Sequence, residues 1–565
     1  MGPSSVNAPA RTSAGGLLAA AGLVAGITLL ARAVGLVRWV VFSHAVGATC
    51  VGQVYATANL VPNVLFEVAA GGALAAVAVP LVAGHLHRGR TDLAGRTASA
   101  LMTWTVTVLL PLAVVVALAA GPLTTWLLGT QEGCSPEDAR AAGRLMLLLF
   151  APQVLLYGLG IVLTGVLHAH GRFLAAATAP LLSSLVVVAV YIAFGALHDP
   201  TRPLGELPAS AYWLLAGGTT LGVVALTLPL LAPARRLDLR WRPTWRFPQG
   251  SGARAGLLVV AGVGVVLAQQ TTTVVVLLLT NAASGVAAIT VWTYAQTAYL
   301  LPYAVLVVPL ATVAFPRFSG DRVRARRVLR QTLAAVVAAA VVAAAVLVAV
   351  RREVGRAFVL LDAGAGGPGA ETLAALPATL GLLAPGLLGF AVVAVATRAL
   401  YAHGSPLRAA AAAAAGWASA GLLPLVVAPT GGSVETTLRV LALGSSVGMT
   451  VAGLLLLREL RGAWGAEATR GTVRAGTAVL VGTLPVVVLA ELVLGDPAGG
   501  WVPTLGRAAL VAVLVLTGAI VGLRTVDPGT AAQVVRRGGS RPAPPADGTP
   551  GRSPLRAARR GRGGR

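Results

Sequence analysis

Fourteen apolar runs, each long enough to cross a lipid bilayer as a helix, occupy most of this 565-residue chain. A bilayer-spanning helix needs about 20 mostly apolar residues. The run LAAVVAAAVVAAAVLVAV (333–350) has no polar position, whereas a barrel strand would alternate apolar and polar residues. With 56% hydrophobic and 11% charged residues, the chain also has more apolar surface than a soluble core could bury. The sequence therefore predicts an all-α polytopic membrane protein with about 14 transmembrane helices.

The predicted spans form two parallel six-helix repeats and a final pair of helices. They cover residues 16–44, 53–84, 97–121, 139–168, 172–196, 208–232, 255–280, 285–316, 327–350, 375–401, 406–428, 435–458, 472–494 and 501–524. The corresponding domains are a cytoplasmic N-terminal segment (1–15), a first six-helix lobe (16–232), a basic cytoplasmic linker (233–254), a second six-helix lobe (255–458), helices 13 and 14 (459–524) and a disordered basic cytoplasmic tail (525–565).

Arginines are concentrated in every second loop. Segments 85–96, 234–254, 317–330 and 458–474 are rich in arginine, while the intervening loops are short and neutral or mildly acidic. By the positive-inside rule both termini are then cytoplasmic and the number of helices is even. The basic tail has no aromatic residue among its arginines, so we expect it to lie near anionic lipid headgroups and not to bind nucleic acid. The exception, RREVGR (351–356), is interpreted as arginines that snorkel at the end of the ninth span.

The only two cysteines, Cys50 and Cys134, both fall on the predicted outer side. A disulfide is chemically permitted there. It requires Cα atoms about 4.4 to 6.8 Å apart, which the sequence cannot establish. Two unpaired thiols are therefore the favoured interpretation, and a disulfide is the alternative.

A motif of the form T-x-x-L-[HY]-A-H-G occurs twice and ends at Gly171 and Gly404. In each copy the histidine, His170 or His403, follows a proline by 18 residues, and the copies are 233 residues apart. This offset indicates duplication of a six-helix unit. Because six is even, both copies run in the same direction across the membrane, and a substrate pathway is expected between them. Each histidine suits the C-cap of a helix before a glycine, with a metal or proton role as the alternative.

Charged and polar side chains inside predicted spans are candidates for that pathway. Arg32 and Arg38 lie in the first span and Glu67 in the second, and an intramembrane charge costs several kcal/mol unless it is paired or hydrated. The two arginines are about 120° apart on a straight helix, so they share a cavity only if it is wide or the helix bends. Snorkelling or structural pairing is their alternative role, and Glu67 either neutralises an arginine or carries a coupling ion.

Further spans contain a polar patch, matched prolines and another carboxylate. Gln270, in the QQTTT patch of the seventh span, contacts substrate or makes helix–helix hydrogen bonds. Pro62 and the glycine pair at 71 and 72 interrupt the second span, and Pro302 interrupts the corresponding eighth span; broken helices in matched positions indicate a central cavity. Glu491, near the outer end of the thirteenth span, is expected to reach the interface.

The stretch ARAVGLVRWVVFSHAVGATCVGQVYATANLVPNVLFEVAAGGALAAVAVPLVAG (31–84) resembles the amino-terminal signature of the MviN/MurJ family of lipid II flippases. The matching positions are Arg32, Gly35, Arg38, Gly47, Pro62, Asn63, Gly72, Ala73 and Pro80. The two His-Gly turns resemble that family's Ala-Arg-Gly turns, with histidine in place of arginine. The resemblance extends over all the predicted helices.

This resemblance implies membership of the multidrug/oligosaccharidyl-lipid/polysaccharide exporter superfamily. Such proteins carry the head of a polyprenyl-diphosphate precursor through a central cavity by alternating access, and helices 13 and 14 form a groove for the lipid tail. The implied partners are a lipid-linked glycan precursor, membrane lipids and cell-wall synthesis or division proteins. From the residues themselves, no cofactor, metal or nucleic acid is expected.

The chain departs from the family at several charged positions. Gln53, Gln296 and Thr297 are neutral where the family has charged residues, and Trp39, Phe66 and Glu67 also replace charges. A diphosphate favours several fixed arginine forks. Of the arginines in the family pattern, Arg32 and Arg38 are retained in this chain. The candidate substrate-binding residues are Arg32, Arg38, Glu67, Gln53, Asn63, Gln296, Thr297 and Gln270.

The predicted function is a multi-pass cell-membrane transporter that flips a polyprenyl-diphosphate-linked cell-wall precursor, lipid II or a related lipid-linked glycan, from the inner to the outer leaflet. The alternatives are a multidrug or small-molecule antiporter of the same superfamily and a non-transporting membrane scaffold. An enzyme is not expected, because the sequence has no GxxxxGK[ST], HExxH, CxxC or GxSxG motif.

Overall fold

The computed structural model describes residues 14–68, 82–86, 88–129, 133–237, 241–247, 252–319, 321–429 and 431–526. The helices are α1 (Ala14–Ala45), α2 (Cys50–Glu67), α3 (Thr91–Leu118), α4 (Ala120–Leu128), α5 (Pro136–Ala169), α6 (Phe173–Leu197), α7 (Ala209–Arg235), α8 (Gly252–Ala282), α9 (Ala288–Ala314), α10 (Arg322–Ala349), α11 (Arg351–Leu361), α12 (Ala370–Leu383), α13 (Gly386–Ala402), α14 (Pro406–Val427), α15 (Val434–Trp464), α16 (Thr472–Val493) and α17 (Trp501–Val526). Within the described ranges the only β-interaction is a bridge between Ser284 and Ser433. The predicted all-α class is confirmed.

The helices are those of a multi-pass membrane protein. Among the described residues, 12 helices are long and apolar enough to cross a bilayer, or 13 when α12 and α13, bent by 52°, count as one span. Leu118, Leu492 and Val502 are 80 to 84% exposed on these helices, as apolar side chains facing lipid would be. The predicted second span is described only over α2 and 82–86, so the count of fourteen stays a prediction.

Two lobes are built from these helices, and we call α1–α7 the first lobe and α8–α15 the second lobe. In the first, α1 packs on α6 and both α2 and α3 pack on α5; in the second, α15 packs on α13 and α14. Small residues allow the closest approaches: a Cβ added at Gly448 of α15 would lie 2.5 Å from the Gly416 carbonyl oxygen of α14. Such contacts are typical of helix packing in membranes.

The last two helices, α16 and α17, are fixed to the second lobe by ion pairs. Arg351 forms a two-point contact with Glu491, at 2.9 and 2.8 Å, and Arg352 approaches the same carboxylate at 3.0 Å. Arg507 of α17 pairs with the buried Glu353 at 2.9 Å. The segment RREVGR is therefore an ion-pairing segment, and its interpretation as snorkelling arginines is wrong because α16 and α17 bring carboxylates and carbonyls beside it.

The two His-Gly turns have the predicted C-capping role. His170 and His403 are the C-cap residues of α5 and α13, and Gly171 and Gly404 follow with φ of 72° and 84°. In both copies the backbone N–H two positions beyond the histidine donates to a carbonyl five residues earlier, at 2.9 Å. A left-handed residue at this position is ordinary for glycine and ends the helix sharply.

Cys50 and Cys134 form a disulfide, so the favoured interpretation of two unpaired thiols is wrong. Their Cα atoms are 5.9 Å apart. Cys50 begins α2 and Cys134 lies just before α5, and these two helices pack against each other. The pairing thus follows from helix packing across 84 residues of sequence.

The proline break predicted in the eighth span is confirmed. After Pro302, helix α9 continues through a π-helical turn at Tyr303–Val307 before resuming as α-helix. Pro62 lies inside α2, which ends at Glu67. The glycine pair predicted to interrupt this span further, at 71 and 72, lies outside the described residues.

Candidate functional site

A cavity of about 540 Å³ lies in the second lobe and reaches the first lobe at Leu60 of α2. Its wall comes mainly from α8, α9, α13, α14 and α15, and it includes the rings of Trp292, Phe390 and Trp417. Hydroxyl and amide groups lie between these rings, and no charged side chain contributes to the described wall. This volume is typical of small-ligand sites.

The predicted polar contacts divide between this cavity and the helix packing around it. Gln296 lines the cavity, whereas Thr297 donates to a carbonyl one turn earlier in its own helix. Gln270 is buried at 6% exposure and is not part of the cavity wall, while its neighbour Gln269 is. Thr272 donates to a backbone carbonyl of α14 at 2.7 Å. The QQTTT patch therefore serves both helix–helix hydrogen bonding and the cavity.

Arg32 and Arg38 face different lobes. Arg38 is half-buried, and its charge acts on three tyrosine hydroxyls of the first lobe, those of Tyr55, Tyr157 and Tyr191. Arg32 is exposed, and its charge acts on Tyr303 of α9 in the second lobe. The six-residue spacing thus places the two guanidinium groups on different sides of α1.

Tyr303 links Arg32 to the cavity. Its ring centroid is 4.2 Å from that of Phe390, which lines the cavity. Arg398 of α13 also acts on Tyr303 and directly follows Thr397, another residue of the wall. Two cations, one from each lobe, therefore lie near Tyr303, beside the described wall of the cavity, which has no charged side chain.

Gln53 lies away from the cavity and joins the two lobes. It is fully buried, its Nε2 donates to Asn281 Oδ1 at 2.9 Å, and its Oε1 accepts from the backbone N–H of Ala287. Ala287 has φ of 67°, a left-handed conformation that is uncommon for a residue with a side chain. Asn281 also donates to the Leu127 carbonyl at 2.9 Å. In this conformation both ends of the Gln53 amide are used by the protein.

Asn63 and Glu67 lie on the second half of α2. Asn63 Oδ1 accepts a hydrogen bond from the Tyr157 hydroxyl at 3.2 Å. Glu67 is exposed and makes no hydrogen bond or ion pair with another described residue. In this conformation Glu67 therefore does not neutralise Arg32 or Arg38, and its role as an ion carrier stays a prediction.

The histidines have structural contacts. His170 Nδ1 lies 2.8 Å from the Val166 carbonyl oxygen, and the His403 ring centroid is 5.4 Å from that of Trp464. In the described ranges no group of three or more His, Cys, Asp or Glu side chains could hold a metal ion.

Sequence reasoning missed Asp362, which lies between α11 and α12 and is 6% exposed. Its carboxylate accepts four hydrogen bonds: from the hydroxyls of Ser43 at 2.6 Å and Tyr294 at 2.8 Å, and from the backbone N–H groups of Ala48 at 2.7 Å and Gly364 at 2.8 Å. Ser43 and Ala48 belong to the first lobe, so this carboxylate joins the lobes. The only sequence signal was a lone aspartate before the glycine-rich AGAGGPG (363–369).

Hydrogen bonds between the lobes are confined to one end of the molecule. Wherever both partners are described, each such bond involves the last turn of α1 or the turn after it, the first turns of α2, the end of α4, the α8–α9 turn or the α11–α12 loop. This end also carries the Cys50–Cys134 disulfide. We call it the sealed end.

Comparison with known proteins agrees with this architecture. The family model described as lipid II flippase MurJ matches residues 42–513. A probable lipid II flippase MurJ of Synechocystis is 32% identical over 237 residues, which are 41% of this chain and 42% of the relative. The corresponding protein of Rhizobium tropici is 27% identical over 52% of this chain and 54% of its own. The chain thus spans about half the length of the curated relatives it matches.

Among solved structures, a lipid II flippase MurJ in an inward closed conformation matches with a TM-score of 0.69 at 17% identity, over 89% of this chain and 99% of that one. An inward-facing multidrug resistance transporter of the MATE family matches with a TM-score of 0.58 at 12% identity, over 84% and 99%. At these identities the likeness concerns the fold.

Proposed function

This chain belongs to the MurJ lipid II flippase family, and from that premise we propose that it carries a polyprenyl-diphosphate-linked cell-wall precursor across the membrane by alternating access. One observation carries this function: the two lobes are hydrogen-bonded to each other at the sealed end, and a cavity lies beside the pathway between them. Carriers built from parallel repeats bind substrate between the repeats and close one end at a time.

Arg32 and Arg38 bind the diphosphate in this proposal. Arginine forks make charge-assisted, two-point hydrogen bonds to phosphate oxygens. Because the two guanidinium groups face different lobes, a diphosphate that contacts both bridges the lobes, and its binding favours conformations that bring the two cations together.

The cavity suits the uncharged part of the same substrate. Aromatic rings and the amides of Gln269 and Gln296 offer stacking surfaces and hydrogen bonds to sugar or peptide groups, whereas the described part of the cavity wall offers no cation for a phosphate. The head group then lies across the edge of the cavity, with its diphosphate toward Arg32.

The sealed end faces outward in this proposal, and both termini are cytoplasmic. The Cys50–Cys134 disulfide lies at the sealed end, and disulfides persist in oxidising compartments. The described residues of the arginine-rich segments border helix ends opposite the sealed end, as the positive-inside rule requires of a cytoplasmic face. The described conformation is then one that is closed to the outside.

A second candidate function, export of an amphipathic small molecule, is favoured by the uncharged aromatic wall of the cavity. Such a wall binds drug-sized apolar ligands without any diphosphate contact. Here Arg32 and Arg38 would be dispensable for transport.

Complementation separates the two candidates. The wild-type chain is expressed in cells whose own lipid II flippase is depleted, beside Arg32→Ala, Arg38→Ala and the double variant, with Arg439→Ala as a matched exposed arginine outside the cavity. The flippase function predicts rescue by the wild type and by Arg439→Ala, and loss of rescue in the double variant. Raised drug tolerance without rescue would instead support the small-molecule exporter. Rescue by a well-expressed double variant would show that the two charges are structural.

A further inference from the structure

A second, smaller cavity lies at the end of the second lobe opposite the sealed end. Its volume is about 250 Å³, and it is lined by Val323, Arg326, Arg327 and Arg330 of α10 and by Glu467, which follows α15. It is distinct from the 540 Å³ cavity and shares no lining residue with it. We call it the arginine pocket.

No described residue accepts a hydrogen bond from the three guanidinium groups of the arginine pocket. Arg326, Arg327 and Arg330 make no hydrogen bond or ion pair with another described residue, and the Nε of Arg326 is buried without a partner. The one carboxylate of the wall, that of Glu467, already pairs with Arg470 at 2.9 Å. Arg327 and Arg330 are exposed, whereas the buried Nε of Arg326 is costly without an acceptor, which an anion in the pocket would supply.

The spacing of the arginines adds to this charge imbalance. Arg326 and Arg330 are four residues apart, so they lie on one face of α10 one turn apart and repel each other. An anion between them converts this repulsion into two attractive contacts.

The depth of the arginine pocket indicates a lipid. Arg330 is followed three residues later by Leu333, the first residue of the apolar run of α10, and three residues of helix rise only about 4.5 Å. The guanidinium groups therefore lie at the level of phospholipid headgroups. Basic pockets between helices on the cytoplasmic side are suited to anionic headgroups.

We propose that the arginine pocket is a phosphate site occupied by the headgroup of an anionic phospholipid. Its volume suits one phosphate group with its attached glycerol and falls below the range typical of drug-sized ligands. Free inorganic phosphate offers the same chemistry from another source. The site does not depend on which substrate the 540 Å³ cavity carries.

Native mass spectrometry of the full chain tests this site. The protein is released from vesicles of phosphatidylcholine containing phosphatidylglycerol, and retained phosphatidylglycerol is counted for the wild type and for the Arg326→Gln, Arg330→Gln double variant. Losing two charge-assisted contacts should weaken retention about tenfold or more. Arg322→Gln, Arg324→Gln is the matched control, because it removes two exposed arginines of the same helix end that do not line the pocket.

The amount of lipid retained, with and without inorganic phosphate, distinguishes a lipid site from a free-phosphate site and from no site. Selective loss in the pocket variant, with no competition from millimolar inorganic phosphate, supports the lipid site. Full displacement of the lipid by inorganic phosphate would overturn the lipid as occupant and assign the site to free phosphate. Equal loss in the control variant, or no loss in either, would overturn the pocket itself. Arg326→Lys, Arg330→Lys guards against misfolding: it keeps the charge without the fork and should retain an intermediate amount of lipid.

Discussion

Replacing Asp362 should open the sealed end. The carboxylate accepts four hydrogen bonds, but only those from Ser43 and Ala48 cross between the lobes. The bonds from Tyr294 and Gly364 remain within the second lobe when the lobes part. The perturbation therefore acts on the equilibrium between closed and open conformations as well as on folding.

The size of the effect follows from the two bonds that cross. A hydrogen bond to a charged group contributes about 1.5 to 3 kcal/mol after exchange with water, so two favour the closed conformation by about 3 to 6 kcal/mol. Even at the lower end, Asp362→Ala should raise the ratio of open to closed molecules on the order of 100-fold. Asp362→Asn should have a smaller effect, because the amide oxygen still accepts from Ala48 and the amide NH2 can donate to the Ser43 hydroxyl oxygen, although the charge is lost.

Double electron–electron resonance measures this ratio directly. Spin labels are attached at position 202 in the first lobe and position 435 in the second lobe, because the native Arg202 and Glu435 side chains are both exposed. Because both native cysteines are in a disulfide, only introduced cysteines take the label. Asp362→Ala should populate longer distances than the wild type, and Asp496→Asn, a carboxylate that is 93% exposed, should leave the distribution unchanged.

A steric variant checks the same seal without touching the carboxylate. A Cβ added at Gly369 of the second lobe would overlap the carbonyl oxygen of Ala48 in the first lobe. The backbone at Gly369 is in a right-handed helical conformation that alanine adopts easily, so Gly369→Ala acts by this clash alone. It should lengthen the distances as Asp362→Ala does. Unchanged distances in both variants, with the protein still folded, would refute the role of this contact in closing the end.

Three further predictions concern the substrate arginines, the topology and the last two helices. Arg38→Ala should reduce transport about tenfold or more and Arg38→Lys should recover part of it, since lysine keeps the charge without the fork; equal activity of all three proteins in a vesicle assay would contradict diphosphate binding. An impermeant thiol reagent added to intact cells should label Cys134 only after the disulfide is reduced. If Cys134 is labelled only in permeabilised cells, the sealed end faces the cytoplasm and the predicted orientation is reversed. Glu491→Gln should lower the free energy of unfolding by about 1 kcal/mol, because Arg351 and Arg352 lose a partly buried partner. Glu435→Gln, at an exposed ion pair, should change the free energy of unfolding little. Equal melting temperatures for the two variants would contradict this prediction.

The helices could be predicted from the sequence because their signal is local. The predicted sixth span, 208–232, corresponds to Ala209–Arg235, and the fifth, 172–196, to Phe173–Leu197. An apolar run of bilayer length must be helical wherever it lies in the fold, since lipid cannot satisfy its backbone groups. The His-Gly turns were equally local, as a C-cap needs only the residues of one helix end.

The contacts of the sealed end could not be predicted, because they join distant parts of the sequence. Asp362 is 314 residues from Ala48, and Gln53 is 228 residues from Asn281. Gln53 was predicted from the family pattern to contact substrate, and no sequence feature distinguishes an amide facing a cavity from one facing another helix. The same holds for Gln270 and Gln269, neighbours of one chemical type of which only Gln269 lines the cavity.

Helix α9 connects the sealed end to the cavity. Its N-cap residue, Ala287, is held at the sealed end by Gln53, and about two turns later Tyr294 is held by Asp362. Trp292 and Gln296 of the same segment line the cavity. The π-helical turn that begins at Tyr303 lies where the charge of Arg32 acts. Because one rigid segment carries both the seal contacts and the cavity wall, the lobes cannot part at the sealed end without moving that wall relative to α2, and the π-helical turn is where α9 can absorb the difference.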